Sequence, residues 1–318
     1  MKVVITGAGG FVGRALVARL RTGGCDVVAV SRRPGPGIDV AMDLRGPADW
    51  RSVAEGSSAF VHLAAIAHAH PPHQPSEAEY RKVNSDPLAS ICAALRGSRT
   101  RLVFMSSVAA ICSSSREVVD DRTPPAPSTP YGRTKLDAER LIRDALANDV
   151  ADWTAIRPPL VYGPGHKGSM LALETWMRAG IPVPTGPRSV RRSFLYVGNL
   201  VDAVECVIRD PRASRRTFLV ADGEALGVPE VVARIAHARG TRGLTVPVPR
   251  LLLNVTSSLS EGLAAVGVGR ALRLHEIARR LGEPLEIDDA GFREATGWRP
   301  PVDGPTAFAR TFSAPMRD

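Results

Sequence analysis

A tyrosine and a lysine stand four residues apart in the stretch TPYGRTKLDAER, at residues 129 to 140. Thr129 is a suitable N-cap and Pro130 suits the first helical position, so a helix is predicted to begin just before Tyr131. Residues four apart share a helix face, which would bring the Tyr131 phenol beside the Lys135 ammonium. A neighbouring ammonium favours the phenolate and predicts a tyrosine pKa lowered toward the range of acid/base chemistry. This spacing also occurs by chance, so the surrounding elements must support it.

A glycine-rich turn near the start of the chain predicts a dinucleotide site. The stretch TGAGGFVG follows an apolar strand and leads into an amphipathic helix. Its first glycine suits a tight turn, its middle glycine gives a pyrophosphate close approach, and its last lets the helix pack on the strand. The flanking strand and helix favour this reading over a glycine turn without a ligand. The predicted cofactor contacts here are Gly7, Gly10, Phe11, Val12 and Gly13.

The end of the second predicted strand bears on which dinucleotide is bound. An acidic residue there would accept the ribose 2′-hydroxyl of NAD, but the sequence has Ser31, Arg32 and Arg33. These residues could clamp a 2′-phosphate, so NADP is slightly favoured over NAD, and the alternative is that the arginines are only solvated. Asp43 and Leu44 end the third predicted strand and are placed to touch the adenine.

Short apolar runs alternate with helix-length stretches through the first half of the chain. Continuous apolar strands separated by helices predict a parallel sheet covered on both faces, a doubly wound α/β Rossmann fold. The predicted strands are 2–6, 26–31, 38–43, 59–64, 101–106 and 153–158, and the helices begin near Phe11, Pro47, Tyr80 and Pro130.

The regular alternation of apolar strands and helices ends after Pro158. Pro/Gly-rich loops follow, and then a helix near 198–209 and a strand at 217–221. Helical patterns after Val228 and around 270–282 predict a smaller, mainly helical C-terminal lobe. We therefore assign 1–163, with about 194–222, to the dinucleotide-binding domain. The ranges 164–193 and 223–318 are assigned to a substrate-binding lobe.

Composition narrows the possible partners. The chain has 318 residues, 44% of them hydrophobic and 23% charged, as in an ordinary globular protein. Its formal net charge of +9 comes from scattered arginines without an RNA-binding motif or zinc spacing, so we expect a phosphate-bearing small molecule rather than nucleic acid. Four widely separated cysteines predict reduced thiols.

Neither a membrane span nor a metal site is expected. A strand that starts at Lys2 leaves no room for a signal peptide, and the apolar-leaning region 246–272 is broken by charges and by Pro249, so we expect a cytoplasmic protein. A cluster of four histidines has no cysteines or carboxylates at the regular spacing of a metal site. We therefore interpret it as a loop that covers the substrate cleft rather than as a metal site. These histidines are His62, His68, His70 and His73.

These pieces, in this order, resemble the extended short-chain dehydrogenase/reductase family, the nucleotide-sugar epimerases and dehydratases. The match runs from TGAGGFVG through HLAA, Asn84, MSS, YGRTK and RPPLVYGPG to RRSFLYVGNLVDAV and the late GWRPP. The resemblance implies that Ser107 hydrogen-bonds the reacting sugar oxygen and that Tyr131 is the general acid/base. It also implies that Lys135 lowers the pKa of Tyr131 and binds the nicotinamide ribose.

The resemblance assigns further residues. It implies that Asn84 lies near the cofactor and supports the lysine, that Arg192 holds the nucleotide diphosphate, and that Lys167 and Ser169 lie in the nucleotide-sugar cleft. The cofactor contacts expected outside the glycine turn are Ser31, Arg32, Asp43, Leu44, Leu63, Ala64, Ala65, Asn84, Tyr131, Lys135 and Pro158.

Two departures from the family pattern limit which reactions and substrate contacts can be carried over. Dehydratases follow their Ser/Thr with Asp-Glu, whereas Ser107 is followed by Val108 and Ala109, which argues against 4,6-dehydration. Leu160 stands where the family has an asparagine, so that sugar-phosphate contact is not carried over.

The chain looks most like the branch that holds UDP-4-keto-6-deoxy-N-acetylhexosamine C4-reductases of the UDP-N-acetylquinovosamine dehydrogenase type and UDP-glucose 4-epimerases. We expect NAD(P)H-dependent reduction at C4 of such a UDP-sugar. Two alternatives stay open: a UDP-sugar 4-epimerase with tightly bound NAD, and a dinucleotide-binding regulator without chemistry. The family also implies a homodimer formed through the helices at 80–95 and 130–148.

Overall fold

A computed structural model describes residues 1–67, 75–180, 182–185, 190–247 and 283–313 of the chain. Its strands are β1 (Lys2–Thr6), β2 (Asp26–Ser31), β3 (Val40–Ala41), β4 (Ala59–His62), β5 (Arg101–Met105), β6 (Asp152–Arg157), β7 (Leu160–Tyr162), β8 (Val183–Thr185), β9 (Arg192–Tyr196), β10 (Arg216–Leu219), β11 (Ala225–Leu226) and β12 (Thr245–Pro247). Its helices are α1 (Phe11–Thr22), α2 (Trp50–Ala54), α3 (Glu77–Asn84), α4 (Pro87–Leu95), α5 (Pro130–Ala145), α6 (Ser169–Arg178), α7 (Val197–Arg209), α8 (Val228–Arg239), α9 (Ala290–Thr296) and α10 (Gly304–Phe312).

Seven strands form one parallel sheet, in the order β10-β6-β5-β4-β1-β2-β3. The predicted doubly wound fold is therefore confirmed. Chain order runs outward in both directions from β1, so the sheet has a topological switch point between β1 and β4. In such sheets ligands bind in the crevice outside the carboxyl ends of the strands at that point. The glycine turn after β1 and the HLAA segment after β4 both lie there.

Helices cover both faces of this sheet, as the continuous apolar strands require. Because side chains alternate along a strand, Val3 packs in the layer that contains Leu16 of α1 and Leu200 of α7. Its neighbour Val4 packs in the opposite layer, with Ile142 of α5 and residues of α2 and α4. The sheet therefore holds α5 rigidly against one face, which matters because α5 carries the Tyr/Lys pair.

Two elements differ from the sequence prediction. The strand predicted at 38–43 is only Val40–Ala41, paired with β2. The helix expected at 80–95 is two helices, because α3 ends at Asn84 and Pro87 starts α4; a proline cannot donate the backbone hydrogen bond that a continuous helix would need.

The second half of the chain adds smaller sheets. β9 pairs in parallel with β7 and antiparallel with β11, and β8 pairs in parallel with β12. A segment at 283–288 runs beside β9, where Leu285 donates its N–H to Arg191 at 3.0 Å and accepts the Ser193 N–H at 2.8 Å. The division into a cofactor domain and a substrate lobe stays a prediction.

Some sequence expectations concern parts of the chain that the structure does not describe. The helical pattern at 270–282, most of the region 246–272 and His68, His70 and His73 lie outside the described residues. Within the described residues, none of the helices combines the length and the apolar character needed to cross a membrane.

Candidate active site

The Tyr/Lys pair lies at the start of α5. The Thr129 hydroxyl accepts the Gly132 N–H at 3.1 Å and Pro130 occupies the first helical turn, so the predicted N-terminus of this helix is confirmed. Ser107 follows β5 and begins a short 3-10 turn at Val108–Ala110. The end of a sheet strand and the first turn of a helix thus bring the serine to the tyrosine.

Gly132 permits this approach, although sequence reasoning gave it no role. A Cβ at position 132 would clash with the carbonyl oxygen of Ala109, so only glycine lets α5 lie so close to the turn that follows Ser107. The sequence signal that could have identified it is its place beside Tyr131 within the first turn of the helix.

The Ser107 hydroxyl lies close enough to the Tyr131 phenol for its hydrogen-bonding group to lower the pKa of Tyr131. Its oxygen also accepts the Ala109 N–H at 3.2 Å. Because the backbone N–H donates to the serine oxygen, the hydroxyl proton is free to be donated to the phenol oxygen, and such a donor favours the phenolate. The ring of Tyr80 packs edge-on against Tyr131, with ring centroids 6.4 Å apart.

The expected lowering of the tyrosine pKa is wrong for this structure. Burial raises the pKa of Tyr131 to about 12, and the Ser107 hydrogen bond offsets only part of that effect. The Lys135 ammonium donates to the Met105 carbonyl at 2.7 Å and lies 5.9 Å from the centroid of the Tyr131 ring. The ammonium is thus directed toward β5, and loss of hydration at the phenol determines the direction of the shift in pKa.

Lys135 itself is buried, with only 2% of its surface exposed. Burial lowers the pKa of Lys135 to about 7, and the charge of Glu139 acts in the opposite direction. The ammonium also lies 4.8 Å from the centroid of the Phe104 ring, a favourable cation–π position. Its protonation near neutral pH therefore depends on the groups around it.

A buried polar network lies beneath the pair. Glu139 accepts hydrogen bonds from the Arg157 guanidinium at 2.9 and 2.6 Å, and the Ser106 hydroxyl also donates to it. The sequence analysis assigned no role to Glu139 or Arg157. The available signal was the spacing of Lys135 and Glu139, which places them one turn apart on the same face of α5.

The glycine turn is shaped for a dinucleotide. Gly7 has φ +73°, and a Cβ there would lie 2.7 Å from the Ala64 nitrogen, so the turn can pack on the segment after β4 only with glycine. Gly10 is the N-cap of α1 and no side chain caps this helix. The first-turn amides behind Gly10, including those of Phe11, Val12 and Gly13, thus suit a pyrophosphate, and the residues present fit the predicted cofactor.

The residues expected at the adenosine lie at the carboxyl ends of β2 and β3. Ser31 is half-buried and Arg32 is exposed beside it. The Arg45 guanidinium donates to the Asp43 carboxylate, with Nε 3.0 Å from Oδ1. This hydrogen bond, with a smaller contribution from the charge of Arg32, lowers the pKa of Asp43 to about 2. Leu44 packs at the edge of the apolar layer. The arginine beside Asp43 was not anticipated from the sequence.

Asn84 connects two parts of the site. Its Oδ1 accepts the Ile66 N–H at 2.8 Å, and its Nδ2 donates to the Ile66 carbonyl at 3.2 Å and to the Thr134 hydroxyl at 3.3 Å. Asn84 therefore anchors the segment after β4 to α5. Its partner on α5 is Thr134, the neighbour of Lys135, and its support of the lysine stays a prediction.

The remaining predicted cofactor contacts lie around the switch point. The Leu63 N–H donates to the Thr6 carbonyl at 3.2 Å, and Leu63, Ala64 and Ala65 are half-buried. The buried Pro158 accepts the Val108 N–H at 3.0 Å on its carbonyl, which ties the end of β6 to the turn after Ser107. Their contacts with a dinucleotide stay predictions.

The predicted substrate residues lie on the second half of the chain. Lys167 is exposed, and Ser169 is the first residue of α6. The Arg192 guanidinium donates to the Glu283 carbonyl at 2.9 Å and to the Ser113 carbonyl at 3.4 Å. It thereby bridges the loop after β5 to the segment beside β9, and its contact with a diphosphate stays a prediction.

The one described histidine of the predicted cluster is structural. His62 is fully buried, and its Nδ1 lies 2.9 Å from the Thr6 hydroxyl oxygen. Burial lowers the pKa of His62 to about 3, with a smaller contribution from Lys135. Within the described residues, there is no group of three or more His, Cys, Asp or Glu side chains that could hold a metal ion.

Comparisons with known proteins agree with this geometry. The model of the NAD dependent epimerase/dehydratase family matches residues 3–221. A UDP-glucose 4-epimerase from Vibrio cholerae is 29% identical over 330 residues, which cover 98% of this chain and 94% of that protein. The solved structure of MoeE5 in complex with UDP-glucose and NAD is 26% identical, has a TM-score of 0.77, and covers 98% of this chain and 97% of that chain.

The fold is also similar to that of a more distant relative. A UDP-glucuronic acid 4-epimerase from Bacillus cereus in complex with NAD has a TM-score of 0.77 at 16% identity, covering 98% of this chain and 97% of that chain.

Proposed function

The chain belongs to the NAD dependent epimerase/dehydratase family, as an enzyme of the extended short-chain dehydrogenase/reductase type, and we propose that it acts at C4 of a UDP-sugar. One observation carries the proposal. The side chains of Ser107 and Tyr131 lie together beyond the carboxyl end of β5, on the same edge of the sheet as the Gly7 turn. Relatives that cover nearly the whole chain are named for UDP-sugars, which supports the same substrate class.

The side chains have distinct tasks in such a reaction. A sugar hydroxyl that is oxidised to a ketone loses its proton and a hydride, and Tyr131 as phenolate accepts the proton. Ser107 donates to the reacting oxygen or to the phenolate and so keeps the two aligned. The nicotinamide supplies the hydride acceptor or donor when bound. In the reverse direction Tyr131 returns the proton to the carbonyl oxygen, so the same pair serves oxidation and reduction.

The proposal assigns each part of the cofactor to residues of this chain. The amides at the start of α1 would bind the diphosphate, and Leu63–Ala65 would line the ribose side of the crevice. Lys135, whose ammonium lies 5.9 Å from the centroid of the Tyr131 ring, would hold the nicotinamide ribose. The dinucleotide is NAD or NADP.

A 4-epimerase is the function that the relatives favour. The chain is similar over 98% of its length to a UDP-glucose 4-epimerase. Epimerisation needs one acid/base pair and no separate group for eliminating water, and the residues after Ser107 are the apolar Val108 and Ala109. The same absence of acidic residues disfavours a 4,6-dehydratase.

A C4-reductase of a UDP-4-keto-6-deoxy-N-acetylhexosamine is the second candidate. The observation in its favour is Arg32, an exposed cation directly after Ser31 at the end of β2. A 2′-phosphate clamp there would select NADPH, which a reductase must exchange in every turnover, whereas an epimerase recycles one bound NAD. The third alternative, a regulator without chemistry, does not agree with membership of an enzyme family whose Ser107, Tyr131 and Lys135 are present.

The dinucleotide content of the purified protein separates the two candidates. The protein is denatured, any released dinucleotide is identified, and NADH and NADPH are titrated into the emptied protein by fluorescence. Stoichiometric NAD that does not exchange, with interconversion of UDP-glucose and UDP-galactose or their N-acetyl forms, supports the epimerase. An empty site that binds NADPH and consumes it with a UDP-4-keto sugar supports the reductase. Failure of every UDP-sugar to react contradicts the substrate class.

We also propose that the chain forms a homodimer through α3, α4 and α5, with the cytoplasm as its location. Light scattering of the purified protein should give the mass of two chains, and the mass of one chain would contradict the dimer.

A further inference from the structure

Glu139 is a buried carboxylate that the proposed chemistry does not use. It is 1% exposed and lies on the inner face of α5, one helical turn beyond Lys135. Two nitrogens of Arg157 donate to its two oxygens at 2.9 and 2.6 Å. The Ser106 hydroxyl donates to it as well. Burying a carboxylate in this way is costly unless it is fully paired, as it is here.

The partners of Glu139 connect the ends of two strands to the helix of the site. Ser106 immediately precedes Ser107, and its N–H donates to the Ile156 carbonyl at 2.8 Å. Arg157 ends β6, next to Pro158. A single carboxylate on α5 thus holds the ends of β5 and β6 in register with the helix that carries Tyr131.

Glu139 also faces a buried positive charge. The groups around the Lys135 ammonium are the Met105 carbonyl and the Phe104 ring on β5, neutral His62 on β4, and Tyr131 and Glu139 on its own helix. Among these, Glu139 carries the negative charge. A second carboxylate, Asp121, lies on the side of Arg157 and is exposed; it is not among the charges that act on Lys135.

We propose that Glu139 is a positioning residue for the Tyr131–Lys135 pair: locked by Arg157 and Ser106, it keeps the buried Lys135 ammonium protonated and aligns the strand end that bears Ser107. Only its effect on turnover rests on the proposed function, because the effect on the lysine is a property of the protein alone. A protonated Lys135 favours the phenolate of Tyr131, so loss of the carboxylate weakens the base without removing it.

The chain contains only four lysines, Lys2, Lys82, Lys135 and Lys167, so the ammonium can be followed directly. Lysine side chains are labelled with ¹³C and ¹⁵N and titrated by nuclear magnetic resonance in the dinucleotide-free protein, with Lys135→Gln identifying the resonance. We expect the midpoint for Lys135 to fall by about one pH unit in Glu139→Gln. Glu139→Asp, which keeps the charge, should titrate close to the wild type.

Asp137→Asn is the matched control, because it removes a partly exposed carboxylate from the same helix. It should leave the Lys135 midpoint unchanged. Should Glu139→Gln fail to fold, the variant Glu139→Gln with Arg157→Met removes both buried charges and should show a smaller fall in the same direction, because Arg157 also repels the ammonium. An unchanged Lys135 midpoint in whichever of these variants folds would overturn the proposal.

Steady-state rates provide the second readout. In Glu139→Gln, kcat should fall about tenfold with KM little changed, and the alkaline limit of activity should move to lower pH, since Lys135 loses its proton earlier. Glu139→Asp should restore both. A lower kcat with an unshifted pH profile would mean that Glu139 is only structural. If the wild type turns over no UDP-sugar, the lysine titration still decides the proposal.

Discussion

The side chain of Ser107 lies beside the phenol of Tyr131 and lowers its pKa, while the serine oxygen accepts the Ala109 N–H at 3.2 Å. Because the Ala109 N–H occupies one lone pair of the serine oxygen, the serine proton remains available for donation to a phenolate at Tyr131. The turn after β5 therefore supplies a hydrogen-bond donor to the residue that must ionise. In a site where burial raises the pKa of Tyr131 to about 12, that donor is needed for the phenolate to form.

Ser107→Ala should therefore make Tyr131 a weaker base. Removing a group that lowers the pKa raises that pKa further, so the phenolate fraction at any pH below it falls. We expect alcohol oxidation to slow by about 10²-fold or more, because a smaller fraction of Tyr131 is ionised at any given pH. Rates measured across pH would check this. Ser128→Ala, which removes an exposed hydrogen bond to Ser113, should behave as the wild type.

Gly132→Ala should separate α5 from the turn that carries Ser107. The added methyl group would clash with the Ala109 carbonyl, a backbone atom that cannot move without the turn. We expect a loss of about 1–3 kcal/mol in the free energy of unfolding and a larger loss of kcat than of dinucleotide affinity. Chemical denaturation and steady-state kinetics measure both. Gly35→Ala meets open space and should change neither, whereas wild-type behaviour of Gly132→Ala would contradict the close packing.

Arg32→Ser should change the choice of dinucleotide if the arginine binds a 2′-phosphate. Loss of a cation from such a contact weakens NADPH binding by about tenfold and leaves NADH binding nearly unchanged. Fluorescence titration of both dinucleotides into the emptied protein would measure this. Arg51→Ser, an exposed arginine on α2, is the control for charge alone. An equal effect on the two dinucleotides would assign Arg32 to the solvated surface.

His62 should make the fold sensitive to acid. Burial lowers the pKa of His62 to about 3, from 6.5 when it is hydrated, so between these values the unfolded chain binds a proton that the folded chain does not. Stability is therefore lost as the pH falls through this window, by about 1.4 kcal/mol per pH unit for one proton.

Denaturant unfolding at several pH values between 4 and 7 would test the role of His62. His62→Gln should show a shallower dependence of the unfolding free energy on pH than the wild type. The exposed His237 provides the control, because His237→Gln should keep the wild-type slope. A slope in His62→Gln as steep as that of the wild type would assign the acid sensitivity to other groups.

The local patterns were sufficient for the fold class and for the start of α5. Alternation of apolar runs and helices predicted the parallel sheet, and the Thr129–Pro130 cap predicted the start of α5. These features depend on periodicity and capping, which are properties of short stretches. Pro87, which splits the predicted helix at 80–95, is likewise a local signal, because proline favours the first turn of a new helix.

What the tertiary structure alone decided is the environment of those groups. The partners of Lys135 and Glu139 come from β5 and β6, whose adjacency follows from the strand order rather than from any nearby sequence. The pKa of Tyr131 rises rather than falls because packing removes its water and turns the lysine toward a backbone carbonyl. Residue spacing determines which side chains share a face, but hydration and long-range contacts determine their charge, and both exist only once the chain is folded.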